Sequence, residues 1–214
     1  MGIYLIKIIM NGCLVMQVQK EEIKNRIMEA ALEEFLLSGY RQSSMRNIAE
    51  QARITVGNIY SYFSGKDDLF ENILEPAVQQ LGSLVLMDVS YDSPLTNSTI
   101  EHITSSITKV FLDNRVEFLI LMNGSEGSKY ENIKGDIIKL AKHRIAADLL
   151  PKLPLKAKDS LLADSLAVAM IEGLLNIFNK YGGDEERLNC LVSEFLLVML
   201  GDITEKLGDI TEKQ

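Results

Sequence analysis

Apolar residues recur at helical spacing along nearly the whole chain, and nowhere do they alternate for long enough to make a strand. The clearest case is residues 20–38, KEEIKNRIMEAALEEFLLS, where Ile23, Ile27, Ala30, Ala31 and Phe35 fall on one face. Gly39 follows as a C-terminal stop. Ser43 or Ser44 is placed to cap a second helix, MRNIAEQA, ending near Ala52. Thr55 is placed to cap a third, from Val56 to Phe63. Lys66-Asp67-Asp68 then opens a long helix, about 67–87, with acids in the first turn where the helix dipole favours them.

The turn-rich stretch SYDSPLTNST follows at 90–99. Beyond it the periodicity predicts helices at about 98–114, 116–123, 131–149, 156–180 and 184–207. Breaks fall at Asn114, at GSEGSK (124–129), at Pro151 and Pro154, and at Gly182-Gly183. The predicted fold class is therefore all-α with about nine helices. The C-terminus repeats GDITEK at 201–206 and 208–213, which reads as an extension of the last helix or a frayed tail.

The chain divides into a variable N-terminal arm (1–19), a helix-turn-helix domain (20–66) and a helical second domain (67–214). The first nineteen residues are apolar with Lys7 as the one charge. They lack the basic start and small-residue cleavage site of a signal peptide, and Lys7, Asn11 and Gly12 interrupt them as a membrane span. Met16 offers an alternative start. No other stretch reads as a span, so the expected location is cytoplasmic, with no membrane partner. The two cysteines, Cys13 and Cys190, have no CxxC spacing and fit a reducing compartment.

The net charge of −8 argues against indiscriminate nucleic-acid binding. Yet residues 41–66 hold Arg41, Arg46, Arg53 and Lys66 against a single acid, Glu50. A basic face on an acidic chain fits a selective binder. In the helix-turn-helix, Ala49 takes the crossing point, with Ile48, Ile54, Ile59 and Phe63 as buried contacts. The opposite side of the third helix shows Thr55, Val56, Asn58, Tyr60 and Tyr62. Hydroxyls and a capped helix start suit phosphates, Asn can read adenine, and a Val methyl can touch a thymine methyl.

Residues 21–70 closely resemble the DNA-binding domain of the TetR/AcrR family of transcriptional regulators. The resemblance is carried by Ala31-x-x-x-Phe35, Gly39-Tyr40, Ser44, Ile48-Ala49, Gly57, Ile59-Tyr60, Tyr62-Phe63, Lys66 and Leu69. It implies that Ser44 and Arg46 position the DNA backbone, and that Thr55, Val56 and Asn58 read bases. It implies that Tyr60, Tyr62 and Lys66 meet phosphate or sugar. Two positions depart from the family pattern. Arg53 stands where most relatives have Gly, at a cost of about 1 kcal/mol if the backbone is left-handed, which a phosphate contact would offset. Val56 stands where many relatives have a basic residue or Pro, which favours an apolar contact.

By the same resemblance the remainder is an effector-binding and dimerisation domain. The last two helices would pair with a second copy through Leu161, Leu162, Leu166, Met170, Leu174 and Ile177, then Leu188, Leu191, Phe195, Leu196 and Met199. Candidate pocket residues are Met87, His102, Phe111, Phe118, Met122, His143, Glu172 and Asn176, since Met and aromatic side chains make adaptable apolar walls. The expected partners are a double-stranded DNA operator, a second copy and a small-molecule effector, with no cofactor or metal. NGSEGSKYEN (123–132) lacks P-loop spacing. The two histidines sit in no HxxxH or HExxH pattern, and no nucleophile elbow or Rossmann glycine pattern occurs, so no enzyme is expected. The expected function is a ligand-responsive regulator, a repressor released from a palindromic operator. The alternative is a ligand-binding or protein-interaction module whose head no longer binds DNA.

Overall fold

The computed structural model describes residues 2–86, 97–152 and 159–200, with side chains described for 17–84, 99–151 and 159–199. Nine α-helices form among these residues, and no strand. They are α1 (Gly2–Gln42), α2 (Met45–Gln51), α3 (Val56–Ile59), α4 (Lys66–Leu86), α5 (Asn97–Asp113), α6 (Arg115–Asn123), α7 (Ile133–Arg144), α8 (Ser160–Asn179) and α9 (Glu185–Leu200). A π-helical turn at Ile145–Leu149 and a 3-10 turn at Leu150–Lys152 continue α7. The predicted helices of the second half are found within a few residues of their places, except that the predicted bounds at 156 and 207 lie outside the described residues. Met87 and the GDITEK repeat lie outside the described residues.

Two compact units divide the chain. One runs from the N-terminus to Glu75 and includes Leu119–Tyr130; the other holds Pro76–Phe118 and Glu131 onward. The boundary thus falls within α4, later than residue 66. The reason is burial: Leu69, Phe70, Ile73 and Leu74 are all in the core. Phe70 meets both Phe35 and Tyr40 at 4.8 Å between ring centroids, which ties the start of α4 to α1.

In the N-terminal unit, α1 begins at Gly2, so the expected arm is helical backbone. Its interior break is Gly39, with φ 67 and ψ 168, followed by one more turn to Gln42. Glycine suits this position because a side chain there would be strained at positive φ. The Tyr40 amide donates to the Gly124 oxygen at 2.7 Å. Arg41 pairs with Glu126, and Lys129 pairs with Glu71 at 2.6 Å. NGSEGSKYEN therefore supplies a clasp on the ends of α1 and the start of α4, a role its composition did not reveal.

In the C-terminal unit, Phe111 of α5 stacks on Phe178 of α8 at 4.3 Å, and Phe118 meets both rings edge-on. Thr108 Oγ1 donates to Asn189 Oδ1 at 2.7 Å, joining α5 to α9. A second cluster packs Ile145, Leu149 and Leu150 against Ala163 and Ala167 of α8. Leu174, Leu188 and Leu196 are buried within the single chain, so they are withdrawn from the expected dimer surface. Leu162, Leu166 and Met170 pack on the α7–α8 cluster. Leu161, Val168, Leu191, Leu197 and Val198 are the large exposed apolar side chains among the described residues of α8 and α9. The expectation that no later segment could span a membrane is also corrected. Ser160–Asn179 has the length and hydropathy to do so, although Ala163, Ala167, Leu174, Leu175 and Phe178 are buried in the fold.

Candidate nucleic-acid interface

Two capped helices and a strained turn build the site. Ser44 sits in extended backbone, and its Oγ accepts the Asn47 N–H at 3.1 Å, which starts α2. Thr55 does the same for α3, its Oγ1 accepting the Asn58 N–H at 3.2 Å. Helix α3 is shorter than predicted: regular helix ends at Ile59, and residues 60–62 continue as turns. Ile59 and Phe63 are buried, as are Ile48 and Ala49, so the inner side of α2–α3 is dry. Ile54 is only half-buried.

Between the helices, Arg53 has φ 55, the single positive value at a non-glycine among the described residues. The left-handed turn expected at this position is therefore present, with a long side chain on it. That side chain borders a cleft shared with Arg26, Glu29, Glu33 and Gln51, so two carboxylates of α1 flank its surroundings.

The expected DNA residues divide into two groups. Arg46, Thr55 and Tyr60 are exposed, Tyr60 at 53%, and Ser44, Val56, Asn58 and Tyr62 are half-buried. A tyrosine left half in water with no partner from the fold is free to meet another molecule. Lys66 is different. Its Nζ donates to Tyr40 O at 2.7 Å and Ser43 O at 3.1 Å, and lies 4.3 Å from the Tyr40 ring centroid. The ammonium closes the C-terminal end of α1, where carbonyls lack helical partners. Lys66 as a free phosphate contact is thus corrected: two of its three N–H groups are already held by the fold.

Tyr40 completes this lock. Its hydroxyl donates to Asp67, and burial, followed by the Asp67 hydrogen bond and the charges of Asp67 and Glu71, pushes its pKa up to about 12. Two residues that sequence reasoning missed also shape the site. Glu34 is buried, and its carboxylate accepts from the Ser44 backbone, Asn47 Nδ2 and Gln51 Nε2. Lys20 brings a cation 6.0 Å from the Tyr62 ring centroid, near the limit of a cation–π contact.

A sequence profile described as "Bacterial regulatory proteins, tetR family" matches residues 27–73, which spans α2, α3 and their supports. The N-terminal domain is of the TetR family. Among curated relatives of this TetR-family head, the HTH-type transcriptional regulator LuxR of Vibrio harveyi is 29% identical over 36% of this chain and 42% of its own length. The HTH-type transcriptional regulator AcrR of Shigella flexneri is 35% identical over 32% of each chain. The fatty acid metabolism regulator protein of Bacillus subtilis is 36% identical over 29% of this chain and 32% of its own. The chain thus spans under half the length of these curated relatives. Over the whole fold, a TetR-like transcriptional regulator from Rhodococcus sp. RHA1 superposes with a TM-score of 0.54 at 15% identity, covering 81% of this chain and 92% of that one. NalD of Pseudomonas aeruginosa, a secondary repressor of a multidrug efflux pump, does so with a TM-score of 0.53 at 21% identity, covering 85% and 95%. At these identities the likeness extends the TetR-type architecture to the C-terminal helices as fold alone.

The described residues of the expected pocket occupy different surroundings. Phe111 and Phe118 are buried against Phe178, as core rather than as cavity wall. Met122 is buried in the N-terminal unit. His102 and His143 are exposed on α5 and α7, and Glu172 is paired with Lys134 at 2.8 Å. Asn176 borders a cavity at the turn between α8 and α9. No group of three or more His, Cys, Asp or Glu side chains converges to hold a metal among the described residues.

Proposed function

We propose that this chain is a homodimeric, ligand-responsive transcriptional regulator that acts as a repressor on a palindromic operator. The observation that carries the reading is the capped, outward-facing α3. Thr55 and Tyr60 are exposed beside a dry inner face, on a head whose sequence matches the TetR profile. In this reading Ser44 and Arg46 position the DNA backbone, and Thr55, Val56 and Asn58 reach base edges. Tyr60 and Tyr62 meet phosphate or sugar. Lys66 acts from within, by fixing the end of α1.

Two heads must be spaced to reach successive major grooves, about one turn of DNA apart. The exposed apolar residues Leu161, Val168, Leu197 and Val198 on α8 and α9 supply the self-complementary surface for a second copy. A small, apolar or amphipathic effector held by the C-terminal helices would release DNA by binding one spacing of the heads better than the other. Such a regulator works in the cytoplasm. Selection from random-sequence DNA tests the whole reading. Enrichment of a two-fold symmetric site with half-sites about one turn apart supports it; recovery of no common sequence refutes it.

A further inference from the structure

Helix α8 ends and α9 begins around a cavity of about 280 Å³, whose lining includes Ile177, Lys180, Asp184, Arg187, Leu188 and Leu191. Its floor is apolar and firm. Leu188 is 1% exposed, and Ile177 is half-buried beside it. Leu191 stands at the opening, 40% exposed. The turn itself is anchored from behind. The Tyr181 ring packs edge-on against Phe111 at 5.7 Å, and its carbonyl accepts from Arg115 Nη2 at 2.9 Å. Gly183, at φ 99, takes a left-handed conformation that a side chain would strain.

The charges around this floor are uneven. Asp184 is committed to the fold, since its Oδ1 accepts the Arg187 backbone N–H at 2.9 Å and caps α9. The Lys180 and Arg187 side chains have no carboxylate partner among the described residues, although other lysines on α7 find theirs on the same helix or on α8. Glu185 and Glu186 lie in the first turn of α9 but do not line the cavity. Two unpaired cations over an apolar floor, on a chain of net charge −8, make a site complementary to an amphipathic anion.

We propose that this cavity binds a small organic monoanion. Its carboxylate lies between Lys180 and Arg187, and its hydrocarbon tail lies against Ile177, Leu188 and Leu191. Arginine offers a planar pair of N–H donors that matches a carboxylate, and lysine adds a mobile point charge. The tail gains from leaving water, and the anchored turn means little is lost in ordering the site. This inference stands apart from the DNA-binding reading and does not require it.

Calorimetric titration of the full chain with octanoate, octanol and octylamine tests it. Octanoate binds saturably, with one molecule per chain and about tenfold more tightly than octanol, the worth of charge-assisted hydrogen bonds. Octylamine binds more weakly than octanol. Lys180→Gln and Arg187→Gln each reduce the preference for octanoate over octanol, and Leu191→Ser weakens both ligands. Both cations are exposed, so the variants keep their helical circular dichroism. The proposal is overturned if octanoate does not saturate, if octanol binds as well, or if the two Gln variants bind octanoate like the original chain.

Discussion

The carboxylate of Glu34 accepts the backbone N–H of Ser44 at 3.1 Å, from a side chain that is 4% exposed. The same carboxylate also accepts from Asn47 Nδ2 at 2.9 Å and Gln51 Nε2 at 3.2 Å. A residue of α1 thus sets where α2 begins and how it is turned, and with it the approach of the candidate DNA-binding surface. Removing the acceptor loses three hydrogen bonds at once, although the donors on half-buried Ser44 and exposed Asn47 and Gln51 can turn to water. Glu34→Ala is expected to destabilise the head by about 2 kcal/mol, read from urea melts followed by circular dichroism. Glu34→Gln retains one acceptor and falls between the two.

Arg53 carries a left-handed backbone that glycine adopts without strain. Arg53→Gly is expected to stabilise the protein by up to about 1 kcal/mol, a rise in melting temperature measurable by calorimetry. Arg53→Val, branched at Cβ, moves the other way.

Tyr40 reports on pH. Its folded pKa is raised to about 12 from the ordinary value near 10, by burial first and then by Asp67. The folded state therefore holds a proton that the unfolded state releases between those values. The stability from this group is complete below pH ~10 and is lost as pH rises towards about 12. An alkaline urea-melt series is expected to show that loss, and Tyr40→Phe to flatten it in this window. Absorbance titration of the folded chain should show one tyrosine ionising later in the original chain than in any other background.

Gly173 of α8 lies under the Phe195 ring of α9, and a Cβ there would overlap Cζ and Cε2 of that ring. Alanine favours helix over glycine by nearly 1 kcal/mol in the open. Gly173→Ala is nonetheless expected to destabilise, because the ring must shift. Phe195→Leu is expected to relieve part of that effect, and a double-mutant cycle measures the coupling.

Much of the head was legible because its signals are local. Ser44 and Thr55 stand one residue before their helices, and each accepts from the amide three residues on, as caps do. Gly39 marks a positive φ, and Phe35, Ile48, Ile59 and Phe63 follow the apolar periodicity inward. What was not legible depends on contacts distant in sequence. Nothing around Glu34 says that this one carboxylate, among several on α1, turns inward to meet α2. Lys66 looks like a surface cation until the end of α1 is placed beside it. Gly124 and Glu126 join the N-terminal unit from a position more than eighty residues downstream of Tyr40 and Arg41. In the C-terminal unit, Phe111 and Phe118 were read as cavity wall because aromatic composition alone does not separate a pocket from a core. Phe178 and Tyr181, whose rings pack on Phe111, lie on a different helix and its following turn.

The central claim is that α3 holds this protein on DNA. Fluorescence anisotropy with the selected operator, at two salt concentrations, tests it most directly, comparing the original chain with Asn58→Ala and Tyr60→Ala. The account predicts specific binding that weakens as salt rises, and a loss of about tenfold in each variant with folding unchanged. A folded dimer that binds the operator no better than scrambled DNA, or variants that bind as tightly as the original, would contradict it.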